Sequence, residues 1–309
     1  MGEPDRAHPP QADAGLRRSS RVVVRAARVR ALPRPLARGH GRGGPGRPRK
    51  HRVATPAQLV RLVERCGFCY AFTEGDLPIP ACFDHLATRS VDRMWGWMWT
   101  WKDELPEQGK IYYGKLLHGK PTFVALPFLP FFYAVHGRAG EDDDYLEDVR
   151  SGRITDTARR IYEALAHLGE TQTKRLRAEL GIESKQGRAE YAKAIEELQR
   201  LFYVTRVRAV GEGREDYNYT YDVFTRRYPD VVRRAARISS HEAMRAILGR
   251  ALDLAGGLPQ AQLSRVFGWP DERVERVVDE LASDGKLVRV GVGRAALVVL
   301  PRLAKSVAA

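Results

Sequence analysis

Four of the five tryptophans fall in one stretch, Trp95-Gly96-Trp97-Met98-Trp99-Thr100-Trp101, which runs directly into Lys102-Asp103-Glu104-Leu105-Pro106. Indole rings offer flat faces on which a flipped or unpaired base can stack. A carboxylate beside them can position water or stabilise positive charge developing at a sugar carbon. Asp103 and Glu104 are therefore the candidate catalytic groups, with Trp95, Trp97, Trp99 and Trp101 as an aromatic ridge. The same residues also describe an ordinary core, because large aromatics bury themselves and carboxylates pair with lysine. Alternate spacing would set all four rings on one side of a strand. A helix would pair Trp95 with Trp99 and Trp97 with Trp101, and Gly96 weighs slightly against it.

A second pattern involves all three cysteines. Cys66-x-x-Cys69 is followed, after twelve intervening residues, by Cys82-x-x-His85, which has the ligand types and spacing of a Cys3His zinc site. Against this, Cys66 lies on the apolar stripe of its helix, and Phe68, Tyr70, Ala71 and Phe72 surround the pair with core-type residues. Core packing is the expectation and zinc the alternative, so no cofactor is expected. Three cysteines are too few for a disulfide framework and point to a reducing cytoplasm.

These groups must be positioned by regular elements, and the clearest run from Thr155 to Phe224. Ile161, Ala164, Leu165 and Leu168 recur at helical spacing behind Thr155-Asp156, and a shorter helix stops at Gly181. A third helix opens at Ser184, polar over its first two turns and apolar from Tyr191 through Ile195 and Leu198 to Phe202. The period then changes to two, with a strand over 202–210, a turn over 211–216 and a return strand over 217–224. Three helices and a hairpin make the plan of a winged helix, whose third helix enters the major groove while the hairpin tip reaches phosphates. The side chains placed for DNA contact are Ser184, Lys185, Gln186 and Arg188 at the helix start, Arg214 at the hairpin tip, and Arg206 and Arg208 on the first strand.

The order repeats towards the C-terminus, with helices over 241–254, 260–267 and 270–283 and a hairpin around Gly291 and Gly293. Its third helix begins Asp271-Glu272-Arg273-Val274-Glu275, which would repel phosphate, so this copy is expected to pack or self-associate.

The formal charge of +14 is concentrated at one end: residues 1–52 carry fourteen basic and three acidic residues, leaving +3 for residues 53–309. That Arg/Pro/Gly-rich stretch is expected to be a disordered tail, with Gly46-Arg47-Pro48-Arg49-Lys50 a partial match to an AT-hook. Arg17-Arg18 lacks the apolar run of an export signal, and no span reaches the roughly twenty apolar residues needed to cross a membrane. The acidic run Glu141 to Asp148 is expected to be a solvated linker, or less directly a cation or tail site.

Winged helices in tandem, the Trp-Lys-Asp-Glu-Leu-Pro stretch and the Tyr221-Asp222-Val223-Phe224-x-Arg226-Arg227-x-Pro229 ending together resemble the AlkZ-like family of bacterial winged-helix DNA glycosylases, over about residues 53 to 290. The resemblance implies tandem winged helices that grip damaged duplex DNA, hydrolysis of the N-glycosidic bond of alkylated purines, and no metal cofactor. The sequence departs from the family at its catalytic pair, Gln-x-Gln or Gln-x-Asp in the N-terminal lobe. Here Gln58 and Gln108 stand isolated, and Gln260-Ala261-Gln262 opens a helix of the third unit. If the chain is a glycosylase, Asp103 or Glu104 must do the work.

The expectation is thus an α+β chain, mainly α with small β-hairpins. It divides into a disordered tail (1–52), a winged-helix-like domain with the Trp-rich segment (53–140), an acidic linker (141–153), a central winged helix (154–238) and a C-terminal one (239–309). The expected function is binding of alkylated or otherwise damaged double-stranded DNA in repair, in the cytoplasm with the nucleoid and away from membranes. An active glycosylase, a transcriptional regulator or a protein-interaction scaffold are the alternatives.

Overall fold

The computed structural model describes residues 53–73, 75, 77–211, 218–291 and 296–307. The expectations for the tail, the AT-hook match and Arg214 lie outside those residues. The first described elements are α1 (Pro56–Cys66), β1 (Phe68–Tyr70), a 3-10 turn (Cys82–His85), α2 (Val91–Glu107), β2 (Tyr112–Leu117) and β3 (Lys120–Val124). Then come α3 (Leu129–Ala134), α4 (Asp144–Arg150), α5 (Asp156–Leu168), β4 (Thr171–Gln172), α6 (Thr173–Glu179), α7 (Lys185–Arg200), β5 (Val204–Val210) and β6 (Asn218–Val223). The chain continues through α8 (Phe224–Arg227), α9 (Pro229–Ala235), α10 (Ser240–Ala255), β7 (Leu258–Pro259), α11 (Gln260–Phe267), α12 (Asp271–Ser283), β8 (Val288–Val290), β9 (Leu297–Val299) and α13 (Pro301–Val307).

The fold is α+β, and one order of elements recurs through it. Helix, strand, helix or 3-10 turn, helix, strand, strand occurs from α1 to β3, from α5 to β6 and from α10 to β9. Each copy closes a three-stranded antiparallel sheet with its last strand in the middle: β1-β3-β2, β4-β6-β5 and β7-β9-β8. The first helix of each copy ends the same way, at Gly67, Gly169 and Gly256, all with positive φ. Only glycine takes these angles at no steric cost, so the chain reverses at once from the helix into the first strand. At Gly67 there is also little room, since a Cβ would lie 3.2 Å from the Phe128 ring.

The Trp-rich stretch is helix, not strand. Ser90 caps α2 by accepting from Arg93 N–H at 3.3 Å, and the buried positions Met98, Trp101, Lys102 and Leu105 follow the 3.6 period. Gly96 has open space around it, and its weak helix propensity is outweighed by this buried stripe. The acidic run also differs from a solvated linker. Its second half forms α4, and Asp148 is buried, accepting from Tyr203 Oη at 2.8 Å and pairing with Arg138 and Arg153.

Among the described residues, three clusters form the core. One lies under the first copy, from Leu59 and Val63 to Met98 and Phe123. Another belongs to the central copy, with Ile161, Leu165, Leu176, Ile195, Leu198 and Tyr221. The largest joins the first and third copies, bringing Phe68, Tyr112 and Phe132 together with Met244, Val277 and Val298. The third copy packs against the first through this cluster, and His118 N–H at the β2–β3 turn donates to Val266 O at 2.6 Å across the same contact.

Candidate functional site

Residue Lys102 lies on the buried stripe of α2, so its ammonium is carried inward with only 3 % of the side chain exposed. Its Nζ donates to Asp103 Oδ2 at 2.7 Å and lies 4.0 Å from the centre of the Trp99 ring. The other carboxylate oxygen of Asp103 is 2.7 Å from an amino group of Arg206, and Arg206 also donates to Lys102 O at 2.9 Å. The Arg206 guanidinium lies between two tyrosines, 4.5 Å from the Tyr113 ring and 4.6 Å from the Tyr219 ring. Elements from two copies therefore build one site, with α2 and β2 of the first meeting β5 and β6 of the central one.

Two cations share one carboxylate here, and burial acts on each. Lys102 is lowered to about 8, first by loss of solvent and then by the charge of Arg206, with Asp103 working the other way. Arg206 loses hydration as well, but Asp103 and then Tyr113, Tyr219 and Tyr221 hold its proton more firmly than usual. Burial pushes Tyr113 up to about 12. Near neutral pH the trio thus carries one positive charge or close to none, depending on one proton on Lys102.

The sequence placed Arg206 and Arg208 together as surface DNA contacts, and the structure separates them. Residues two apart share a face of a regular strand. The β5–β6 register, however, shifts between Arg206 and Arg208, which turns Arg206 inward to 9 % exposure and leaves Arg208 46 % exposed against Glu170 at 2.5 Å. Arg206 is thus a site residue, not a surface contact. Asp103 and Glu104 also part, since neighbours on a helix point about 100° apart: Asp103 is 13 % exposed within the network and Glu104 faces solvent.

Nor is the ridge one surface. Trp95 stacks on Phe72 at 5.2 Å, Trp97 stacks on Trp101 at 5.3 Å, and Trp101 is buried in the core. Trp99 alone of the four is largely exposed, at 43 %. Tyr113 and Tyr219 were not read from the sequence as site residues. An arginine in the middle of an apolar strand, facing a run of tyrosines on its partner, is the signal that marks such a place.

The start of α7 carries the expected polar face. Ser184, Lys185, Gln186 and Arg188 are all exposed. Ser184 Oγ accepts from Gly187 N–H at 3.0 Å, Gln186 donates to Glu190 at 2.9 Å, and Arg188 donates to Glu183 O at 2.8 Å. Cys66, Cys69, Cys82 and His85 do come together, lining one small pocket with Leu62, Pro80 and Ala81. Cys69 Sγ and Cys82 Sγ are 3.2 Å apart. Hydrogen bonding to Cys69 and burial push the Cys66 thiol up, and all three cysteines lie in the apolar cluster of the first copy. Among the described residues, no group of three or more His, Cys, Asp or Glu is placed to hold a metal ion, and no helix is long and apolar enough to cross a membrane.

The recurring α+β unit and the buried Lys-Asp-Arg site define a protein built from repeated helix-and-hairpin modules around a charged, aromatic-lined centre. The chain belongs to the AlkZ-related family, whose model matches residues 53–268. Among solved structures it is similar to Streptomyces sahachiroi DNA glycosylase AlkZ, at 14% identity and a TM-score of 0.48, the match covering 81% of this chain and 66% of that one. No curated protein matches the chain.

Proposed function

We propose that this protein binds damaged duplex DNA, alkylated DNA in particular, and acts in DNA repair. The observation that carries the reading is the exposed polar start of α7, on the third helix of a winged-helix order, in a chain of the AlkZ-related family. In that order the third helix is the one that lies in the major groove, and a helix N-terminus flanked by Lys185 and Arg188 favours phosphate. The β5–β6 hairpin that follows it carries Arg206 and Tyr219, so the buried site is built in part from the wing.

The test uses the full chain and a labelled duplex with one N7-methylated purine, beside the undamaged duplex. We expect binding that falls steeply with salt, with the slope of log K against log [salt] reduced by about 1 for each of Lys185→Ala and Arg188→Ala. Equal loss in the two variants with no change of slope, or no binding to either duplex at low salt, would sink the reading. A strong preference for one undamaged sequence would favour a regulator.

A second reading, excision of the alkylated base, is favoured by Lys102 bridging the Asp103 carboxylate and the exposed Trp99 ring. An alkylated purine is already a good leaving group, so the protein need only orient water and offset charge on the sugar. Alkali-labile abasic sites should then form, be lost in Asp103→Asn and persist in Glu104→Gln, because Glu104 is outside the network.

A further inference from the structure

A lysine and an aspartate adjacent on a helix usually part into solvent. Here Nζ of Lys102 is enclosed instead by its own helix, by Asp103, by the Trp99 ring and, at 5.9 Å, by the Tyr219 ring of the wing. A second cation, Arg206, holds the far oxygen of the same carboxylate. Burying two cations against one carboxylate costs more than an apolar packing of the same volume, and such arrangements cluster where chemistry is done. Trp99, half exposed beside Nζ, is the flat surface against which a sugar or base reaching the amine would lie.

We propose that Lys102 is an amine nucleophile toward the aldehyde of an abasic deoxyribose, so that the protein cleaves a DNA strand on the 3′ side of an abasic site. The proposal rests on the reading that duplex DNA is the ligand. Neutral Nζ adds to C1′ of the open-chain sugar, the hydroxyl leaves as water after taking a proton from solvent, and an iminium joins the protein to the DNA. A base removes a proton from C2′, and Asp103, whose carboxylate is 2.7 Å from Nζ, is placed to receive it. The electron pair moves to break the C3′–O3′ bond, and the 3′ phosphate departs with those electrons. Water then hydrolyses the imine, restoring Lys102 and leaving an unsaturated aldehyde on one strand end and a phosphate on the other. No oxidant or metal enters the balance. Asp103 and Arg206 are the charged groups that act on Nζ, with the Tyr219 ring 5.9 Å away. Arg206 and burial favour the neutral amine and Asp103 opposes them, giving a value of about 8, so a useful fraction is neutral near physiological pH.

The test uses the full chain, a labelled duplex with one abasic site made by excising uracil, and sodium cyanoborohydride, which reduces an imine to a stable amine. A covalent complex should form, peptide mapping should place the adduct on Lys102, and the yield should rise between pH 6.5 and about 8.5. Lys102→Arg and Lys102→Met should each lose at least ~100-fold in trapping while still binding the duplex. Mapping is done on the unaltered chain, so it holds even if a variant folds poorly. Binding of the abasic duplex with no trapped complex, or an adduct on another lysine, overturns the proposal and leaves the DNA reading intact. Absence of any duplex binding overturns both.

Discussion

Asp103 holds two buried cations, and its removal should be felt in stability before activity is measured. Asp103→Asn leaves Lys102 and Arg206 without a counter-charge, so we expect a loss of about 3–5 kcal/mol in urea unfolding, against less than about 1 kcal/mol for exposed Glu104→Gln. The proton on Lys102 gives a second test. Its folded value is about 8 against an ordinary 10.5, so across that interval the unfolded chain keeps a proton that the folded chain has shed. Stability should therefore rise with pH, by roughly 2 kcal/mol between pH 8 and 9.5, and the rise should be missing in Lys102→Met. Tyr113 and Tyr191, pushed up to about 12 by burial, act in the opposite sense at pH values above their ordinary 10. Of the buried network, Asp103 and Lys102 stand out in the sequence because they follow directly on the tryptophan-rich run. Arg206 was legible only as a cation, because its partner lies 103 positions away in the chain and nothing local shows a contact of that range.

At the scale of elements, the periodic helices were legible and the places where the period breaks were not. Thr55, Thr155 and Ser184 could be read as caps because their side chains satisfy N–H groups within three residues. The irregularity in β5 could not, since it depends on how two strands pair. The Trp-rich stretch fits two periods, with Gly96 slightly against the helix, and the helix prevails through the buried stripe of Met98, Trp101 and Leu105. The α6–α7 turn gives the sharpest element-scale test. A Cβ on Gly187 would lie 2.7 Å from Ile182 O, a backbone atom that cannot step aside. We expect Gly187→Ala to cost about 1–3 kcal/mol despite alanine's better helix propensity, with weaker DNA binding as α7 tilts, while Ser184→Ala should cost about 1 kcal/mol through its cap alone. Circular-dichroism melts of the two variants separate these effects.

Across the whole molecule, the threefold order was legible in its central and C-terminal copies and weakest in the first, where a 3-10 turn replaces the second helix. The first and central copies each have a core of their own, and the largest cluster joins the first and third copies with Phe202 and Phe224 from the end of the central one. Hydrogen exchange should therefore show the central helices, whose Ile161, Leu165, Ile195 and Leu198 form a cluster of their own, opening separately from the cluster that joins the first and third copies. The shared core also sets a schedule during synthesis. Phe68 and Phe132 leave the ribosome long before Phe267, which packs on Phe68, and before Met244, Val277 and Val298 of the same cluster. At ordinary elongation rates the wait is on the order of ten seconds, time enough for the central copy to fold between them. A nascent chain stopped before residue 239 should thus hold a finished middle and an apolar face still awaiting its cover, the state in which a chaperone would find it.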